Sequence, residues 1–595
     1  MVTSSPGAHL RRGLSWLVSP VTWVMAATPW AFWLLVGAVR GSRRAAAGLA
    51  VLLGVCAGWS VNPESAVFLW LAVAVAGVVI GLGRRRRLTL PAASFLLATA
   101  VAGVGAVPTL VNAADSPKAA RMAGSGQYPS SDVTWTLRAR VASMLVTPWR
   151  YGHPADRDWT QPFPAAPVSL GVGSIAVCCL LAGRPRRRVK RWAAALAAVG
   201  VLAAVLVWQL PGIGDFLGRV PVLGALVWVR AGFLVSFVLA MLAGIGVDAV
   251  LRRGHIMRFV VAAVAVQVAV AFLVLTLPNG PARRRCLESG WYPGLAGALA
   301  PLLPALGGAV LPALVLAEQC TAGAGLLPGA ASPPVHGAPA IVQTLGRLVA
   351  REPGRILGMG PALPANLGAR LGFSDLRSFD PVRTLPLVRL HRALGATAVD
   401  LPGPVTAPWA GLAGAWGVRW LATPPDGLHG ACAAGWEEAY RDDDGRIYRN
   451  TRALPVVRLA SRVSASPGDP GSGAWEGLDF SAAAVADGPL HLGGEGSIVI
   501  LEDRASRHVA RVQARGRVLA VLHIPRAPGW RAFVDGRRAP VVEADLAAMG
   551  VVVRDGEHEV RWQYAPPGLA VGLALTLGGL AGCLLFSPSS PGRRR

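Results

Sequence analysis

With 595 residues, 53% of them hydrophobic against 15% charged, and a mean hydropathy of +0.47, the chain is too apolar for an ordinary soluble enzyme and too long for a single domain. The net charge of +26 would suggest nucleic acid in a soluble protein, but here the arginines gather in short clusters between apolar runs, such as RRRR at 84–87 and RPRRRVKR at 184–191. That is the pattern of cytoplasmic loops, so membrane lipid is an expected partner and nucleic acid is not.

At the N-terminus Arg11 and Arg12 precede an apolar segment that runs to about Val39 without a small-residue cleavage site, which reads as a span and not as a signal peptide. A span needs about 20 apolar residues. About ten are expected, near 18–39, 45–60, 65–83, 89–111, 166–183, 192–210, 229–250, 257–278, 293–319 and 567–587. Trp59, Trp192, Trp208, Trp228 and Trp291 fall at span ends, where an indole suits the headgroup level.

Arg40, Arg43 and Arg44, the clusters at 84–87 and 184–191, Arg252, Arg253 and the closing RRR at 593–595 are expected inside. The loops at 60–65, 112–165 and 211–228 then lie outside, as does the hydrophilic block 325–565. RRR at 283–285 breaks the count. Either a span boundary is misplaced, or 287–319, with Pro293, Pro301, Pro304 and Pro312, folds as a short re-entrant hairpin that returns to the outer face, the reading favoured here. In the long loop, SSDVTWTLRARVASMLVTP offers Ser131 or Asp132 as a cap and Val133, Leu137, Val141 and Leu145 at helical spacing, an interfacial helix.

The expected organisation is a multi-span membrane domain at 1–324, an extracytoplasmic α/β subdomain at 325–451, a β-sandwich at 452–565, and a final transmembrane helix with a basic cytoplasmic tail at 566–595. The α/β reading rests on IVQTLGRLVAREPG before RILGMG and GLAGAWG before VRWLAT; the β reading rests on SIVILED, RVLAVLHI, RAFVDG, GVVVRDG and HEVRWQY. In HEVRWQY, Val560, Trp562 and Tyr564 alternate with Glu559, Arg561 and Gln563, a half-buried strand. Asp535-Gly536 and Asp555-Gly556 read as tight hairpin turns. The seven cysteines show neither CxxC pairs nor metal spacing, so no disulfide framework or zinc site is implied.

PGWRAFVDGRRAPV, then GVVVRDGEHEVRWQYAPPG, then an apolar helix resembles the C-terminal signature of the YfhO family of bacterial membrane proteins. The motifs are Pro-Gly-Trp, Val-Asp-Gly, Gly-x-His-x-Val and Tyr-x-Pro-Pro. NPESAVFLWLAVAV, GAVPTL, LAGIGVDAVL, NLGARLGFSDLRSFDPV, GVRWLAT and GRIYRNTRALPVVRL, with its Tyr-x-Asn turn and Ala-Leu-Pro, follow in the family's order, so the likeness covers roughly 30–587. The resemblance implies a polytopic helical membrane fold of the C superfamily of glycosyltransferases, which move sugar from a polyprenyl-phosphate carrier to wall polymers or lipids. It also implies an acidic catalytic loop after the first span, yet the first 30 residues hold no acidic residue; that loop is missing or comes from a second chain. Asn62 and Glu64 of NPE stand near where the family places a histidine, and VWVRAGF keeps only Arg230 of a more basic pattern.

Such a transfer needs a carboxylate to activate the acceptor hydroxyl, a cation for the leaving phosphate, and often a divalent metal. Glu64 is the best-placed base, with Asp115, Asp132, Asp156, Asp158 and Asp215 behind it; capping the next helix is its bland role. Arg150 and Arg230 are candidates for the carrier phosphate, with snorkelling as the alternative. His153 is a loop histidine, and Asp442, Asp443 and Asp444 sit in a hairpin turn, so no metal ligand is assigned. Trp530 is the candidate sugar platform, whereas Trp562 reads as core. Two functions stay open: transferring or helping transfer a lipid-linked sugar in the cell envelope, or acting as a noncatalytic membrane scaffold or partner subunit.

Overall fold

The computed structural model describes residues 20–586 apart from 60–62, 83–86, 117–141, 148–149, 151–172, 221–225, 323–338, 378–382, 397–404, 471–473, 487–489 and scattered single positions. Most of the interfacial helix expected from Ser131, with Asp132, Asp156, Asp158 and His153, lies outside the described residues; of its end, 142–147 are described, with Met144 buried and Leu145 packed against the helical core. The chain forms two compact units, one built on residues 331–569 with 107–119, the other on 10–106, 120–330 and the last helix.

The second unit is helical. Its elements are α1 (Pro20–Val39), α2 (Arg43–Gly58), α3 (Pro63–Gly81), α4 (Thr89–Val101) running into α5 (Gly103–Ala114), which from Val107 belongs to the other unit, α6 (Ser174–Ala182), α7 (Lys190–Trp208), α8 (Gly232–Arg253), α9 (Ile256–Leu275), α10 (Pro281–Gly290), α11 (Tyr292–Leu299) and α12 (Val310–Ala322). Among the described residues five helices are long and apolar enough to cross a membrane, counting the last helix of the chain, and the α4–α5 pair makes a sixth if it is one span. This is fewer than the ten expected. The segment read at 166–183 is described as only nine helical residues, about 14 Å of helix against the roughly 30 Å of a hydrocarbon core.

The stretch read as one straight span at 89–111 bends by 66° between α4 and α5. Gly103 and Gly105 loosen the helix, and Gly105 N donates to Ala102 O at 3.2 Å in place of Val101 O. The bend is a packing surface. On α2, Gly54 and Gly58 are four residues apart, and an added Cβ would stand 2.6 Å from Val101 Cβ and 2.5 Å from Ala102 O, so only glycine allows the approach. Trp228, expected at a headgroup level, is buried among Phe233, Leu69 and Ala66 because the turn that carries it folds inward.

The proline-rich stretch after Arg285 breaks into α11, a short 3-10 turn and α12. The hydroxyls of Tyr292 and Thr321 meet at 2.7 Å, so its two ends lie together, as a hairpin requires. Cys286 is buried and Cys320 exposed, which makes the neighbouring exposed Leu287 the better probe. In a protein otherwise free of cysteine, Leu287→Cys and Cys320 are expected to react with a membrane-impermeant maleimide from the same side. One reactive and one protected site would establish a simple crossing.

The other unit holds three main sheets, built from β1 (Arg355–Gly358), β2 (Val418–Thr423), β3 (Trp436–Asp442), β4 (Gly445–Asn450), β5 (Val457–Ala460), β6 (Arg462–Ser464), β7 (Ala483–Val485), β8 (Glu495–Arg504), β9 (Arg507–Arg515), β10 (Val518–Leu522), β11 (Trp530–Val534), β12 (Arg537–Ala539), β13 (Val542–Ala544), β14 (Ala548–Val553) and β15 (Gly556–Tyr564). The first sheet is ordered β1-β2-β4-β3, with β1 and β2 parallel, and has helix Ala340–Arg351 packed on it. The second is β13-β14-β10-β5 and the third β12-β11-β15-β9-β8. β6 and β7 form a small parallel pair.

β10, VLAVL, is buried throughout because it faces two cores. Val518, Ala520 and Leu522 meet Trp562 and Val512 of the third sheet, while Leu519 and Val521 enter a core with Trp416, Leu421 and Leu390. The α/β and β-sandwich parts, expected as separate subdomains, therefore share an apolar core. Asp535-Gly536 makes the tight turn between β11 and β12, both residues at positive φ (50° and 75°). Asp555-Gly556 does not: β14 belongs to the second sheet and β15 to the third, so this pair is the corner between sheets, where Asp555 accepts Gly516 N at 2.8 Å.

Candidate functional site

Two residues considered separately in the sequence come together. Glu64 sits in the first turn of α3, where its charge complements the helix dipole, and Arg230 lies in the 3-10 turn Trp228–Ala231 that leads into α8. Arg230 Nη1 donates to Glu64 Oε2 at 2.6 Å, with the carboxylate side chain 9% exposed and the guanidinium 29%. A charge-assisted bond in so apolar a setting is strong, and separating its partners without replacing either is costly.

Arg150 stands elsewhere. Its guanidinium donates to Leu273 O and, at 2.8 Å, to Thr276 Oγ1, at the C-terminal end of α9, a place that favours a cation. Of the other acids, Asp215 lies in the helix Ile213–Arg219. Asp442 Oδ1 accepts the amides of Asp444 (2.9 Å) and Gly445 (3.0 Å), an Asx turn that shapes the β3–β4 hairpin. Among the described residues no three His, Cys, Asp or Glu side chains converge as a metal site would require.

Glu318 was missed. It is buried on α12, where its carboxylate accepts Ser174 N at 2.6 Å, Ile175 N at 3.2 Å and the Ser174 hydroxyl, capping the N-terminus of α6. A lone acid inside the apolar run VLPALVLAEQCTA was the available signal.

Trp530 borders a cleft of about 1130 Å³ within the sheet-containing unit. Arg389, Arg526, Arg531 and Arg538 line it with Glu543, which accepts from Arg389 Nη2 and, at 3.3 Å, from Arg526 Nη1. The indole packs near Tyr564 and His508, with ring centroids 5.4 and 5.8 Å away. An aromatic face beside four guanidiniums is chemically suited to an anionic sugar or sugar phosphate. Arg389 lies far from the Pro-Gly-Trp loop in sequence, and no local pattern marked it.

The signature motifs prove to be clasps. Asp535 of Val-Asp-Gly accepts Glu559 N at 2.9 Å and pairs with His558 Nδ1 of Gly-x-His-x-Val at 2.7 Å, pinning the β11–β12 turn to β15. That pairing raises the His558 imidazole above its ordinary range. Gly529 of Pro-Gly-Trp, at φ 105°, lets the chain pass against Tyr-x-Pro-Pro, where an added Cβ would stand 3.0 Å from the Tyr564 ring and 3.1 Å from Pro567. Asn450 of Tyr-x-Asn is fully buried and donates to Ala410 O and Val418 O, both at 3.0 Å, while accepting Arg452 N at 2.8 Å.

Residues 495–576, which run from β8 into the last helix and contain the Asp535–His558 and Gly529 clasps but not Asn450, match the family model described as bacterial membrane protein YfhO. The chain carries the YfhO signature. No curated protein matches it. Two solved cryo-EM structures of the arabinofuranosyltransferase AftD from Mycobacteria, one of a mutant, align at 13% identity and a TM-score of 0.34, covering 92% and 94% of this chain and 49% and 48% of that one. The chain thus spans about half the length of AftD, and at that TM-score the two need not share a fold. The YfhO-like region and the apolar helices make this a membrane protein with β-sheets in its C-terminal part.

Proposed function

We propose that this YfhO-like protein acts in cell-envelope glycosylation, transferring or helping transfer a sugar from a polyprenyl-phosphate carrier to a wall polymer or lipid, with the block 325–565 outside the cytoplasm. The observation that carries the reading is the Glu64–Arg230 pair at 2.6 Å, largely buried between apolar helices, since intramembrane charges are costly and mark functional sites by default. A carrier phosphate that draws the Arg230 guanidinium away releases the Glu64 carboxylate. Glu64 then accepts the proton of the acceptor hydroxyl as that oxygen bonds to the sugar's anomeric carbon, and the bond from that carbon to the phosphate oxygen breaks, leaving the charge on the carrier beside Arg230. The Trp530 cleft, with its arginines, is suited to the anionic sugar portion of a substrate. A noncatalytic scaffold is the second reading, favoured by the structural use of Asp535, His558 and Asn450.

The test supplies a radiolabelled polyprenyl-phosphate sugar to membranes of a deletion strain carrying the wild-type gene, Glu64→Gln or Arg230→Lys. Glu64→Gln is expected to lower incorporation about 10²- to 10⁴-fold with the protein still present at wild-type level. Wild-type incorporation by Glu64→Gln would reject the base, and with it this site. Loss of activity on purification, restored by adding deletion-strain membranes, would mark a partner chain that completes the site.

A further inference from the structure

In the helical unit, among the arginine clusters read as inside loops, a pocket of about 670 Å³ gathers Arg40, Arg87, Arg187 and Arg191. These come from three loops that are separate in sequence. Among the described residues the lining holds four guanidiniums and no carboxylate. Arg186, next to Arg187 in the chain, pairs with Asp248 at 3.4 Å and is not part of the lining. Four like charges around one cavity repel one another unless an anion joins them.

The helix ends sharpen the point. Arg191 lies in the first turn of α7 and Arg87 just before α4, and neither helix has an acidic residue in its first turn. Cations at the positive end of a helix dipole are unfavourable, whereas an anion there satisfies both the dipole and the guanidiniums. The lining also includes the apolar Val39, Ile80 and Leu90 and the indole of Trp192. Guanidiniums, aliphatic side chains and an indole lining one pocket suit a molecule with a phosphate head and acyl chains.

We propose that this pocket binds the phosphate headgroup of an anionic membrane lipid. Arg187 and Arg191 grip the phosphate, Arg40 and Arg87 close the other side, and the acyl chains lie along Ile80 and Leu90. The site is independent of the Glu64–Arg230 pair and of the proposed transfer.

The full chain in nanodiscs of phosphatidylcholine, with or without a minor fraction of phosphatidylglycerol, tests this by native mass spectrometry and thermal unfolding. Phosphatidylglycerol is expected to remain bound and to raise the unfolding midpoint. Arg187→Gln with Arg191→Gln is expected to lower its occupancy about tenfold per guanidinium removed, leaving the midpoint in phosphatidylcholine alone unchanged. Arg40→Gln, at an exposed turn, should reduce occupancy in the same sense should the double variant fold poorly. Arg283→Gln with Arg284→Gln, on α10, should change nothing. The proposal fails if the pocket variants hold phosphatidylglycerol as the wild type does. It fails equally if millimolar inorganic phosphate stabilises the protein in phosphatidylcholine as much as phosphatidylglycerol does, since the pocket would then serve a soluble phosphate compound.

Discussion

Replacing Asp545 with alanine is expected to destabilise the sheet-containing unit by about 3–5 kcal/mol, the cost of leaving a buried charge without its partner. Asp545 is fully buried; its Oδ2 accepts Arg458 Nη2 at 2.7 Å and pairs with His523 Nε2 at 2.8 Å, and its Oδ1 accepts Val485 N at 2.8 Å. Its own carbonyl accepts Trp416 Nε1 at 3.2 Å, and Arg355 of β1 donates to the carbonyls of Trp416 and His523. One carboxylate thus ties β5, β7 and the end of β10 together, and the carbonyl of the same residue joins them to Trp416 before β2. Asp545 also sits at φ 47° with Leu546 at 74°, a backbone that alanine resists and asparagine tolerates. Asp545→Asn therefore separates charge from conformation. Chemical unfolding followed by tryptophan fluorescence should place Asn close to Ala; an Asn variant as stable as wild type would mean that the backbone, and not the charge, is what matters.

Asp545, its partner His523 and a separate buried histidine, His391, set an acid limit. Burial pushes His523 below the ordinary imidazole range, against the opposing pull of Asp545, and burial pushes His391 down to about 4. Burial alone would raise the Asp545 carboxyl, but His523 and Arg458 outweigh it and hold it below the usual carboxylate value. All three folded values are depressed, so each contributes stability that is complete above its unfolded value and is lost as pH falls. The histidine contributions start to fade below about pH 6.5, each by about 1.4 kcal/mol per pH unit, before Asp545 begins to titrate. Half-buried His558 runs the other way, its pairing with Asp535 favouring acid. Stability of this unit is expected to decline from neutral pH toward pH 4.

Thr576→Val is expected to destabilise the helical unit by about 2–4 kcal/mol although the side chains are nearly equal in shape. The bend between α4 and α5 leaves Val101 O and Val104 N without their helical partners. The Thr576 hydroxyl, in the last helix Leu569–Phe586, donates to Val101 O at 3.0 Å and accepts Val104 N at 2.9 Å. Valine would orphan both groups in an apolar surrounding where water cannot replace the bond. Gly572 and Gly579 flank Thr576 on the same face, and an added Cβ on Gly579 would meet Val101 N at 2.8 Å, so the helices are too close for the site to relax easily. Thr576→Ser keeps the hydroxyl and should stay near wild type in thermal unfolding in detergent. Equal loss in Ser and Val would assign the effect to the missing methyl packing instead.

Long apolar runs, arginine clusters and period-2 alternation are local and physically strong signals. They sufficed for the membrane class, for strands such as HEVRWQY with Val560 and Trp562 inward, and for the Asp535-Gly536 turn, because transfer out of water and the steric freedom of glycine act on a few adjacent residues. The YfhO signature was equally legible, but its residues turned out to hold turns in place, which their spacing along the chain does not reveal. Everything that depends on distant residues had to come from the tertiary structure. Glu64 meets Arg230 across 166 residues, Thr576 caps a bend 472 residues away, and four arginines from three loops surround one pocket. Even Asp555-Gly556, identical in type to a hairpin turn, became a corner between sheets because the two strands it joins pair with different neighbours. A sequence specifies which groups must be buried or paired; which partner satisfies each of them is decided only when long-range packing brings the candidates within bonding distance.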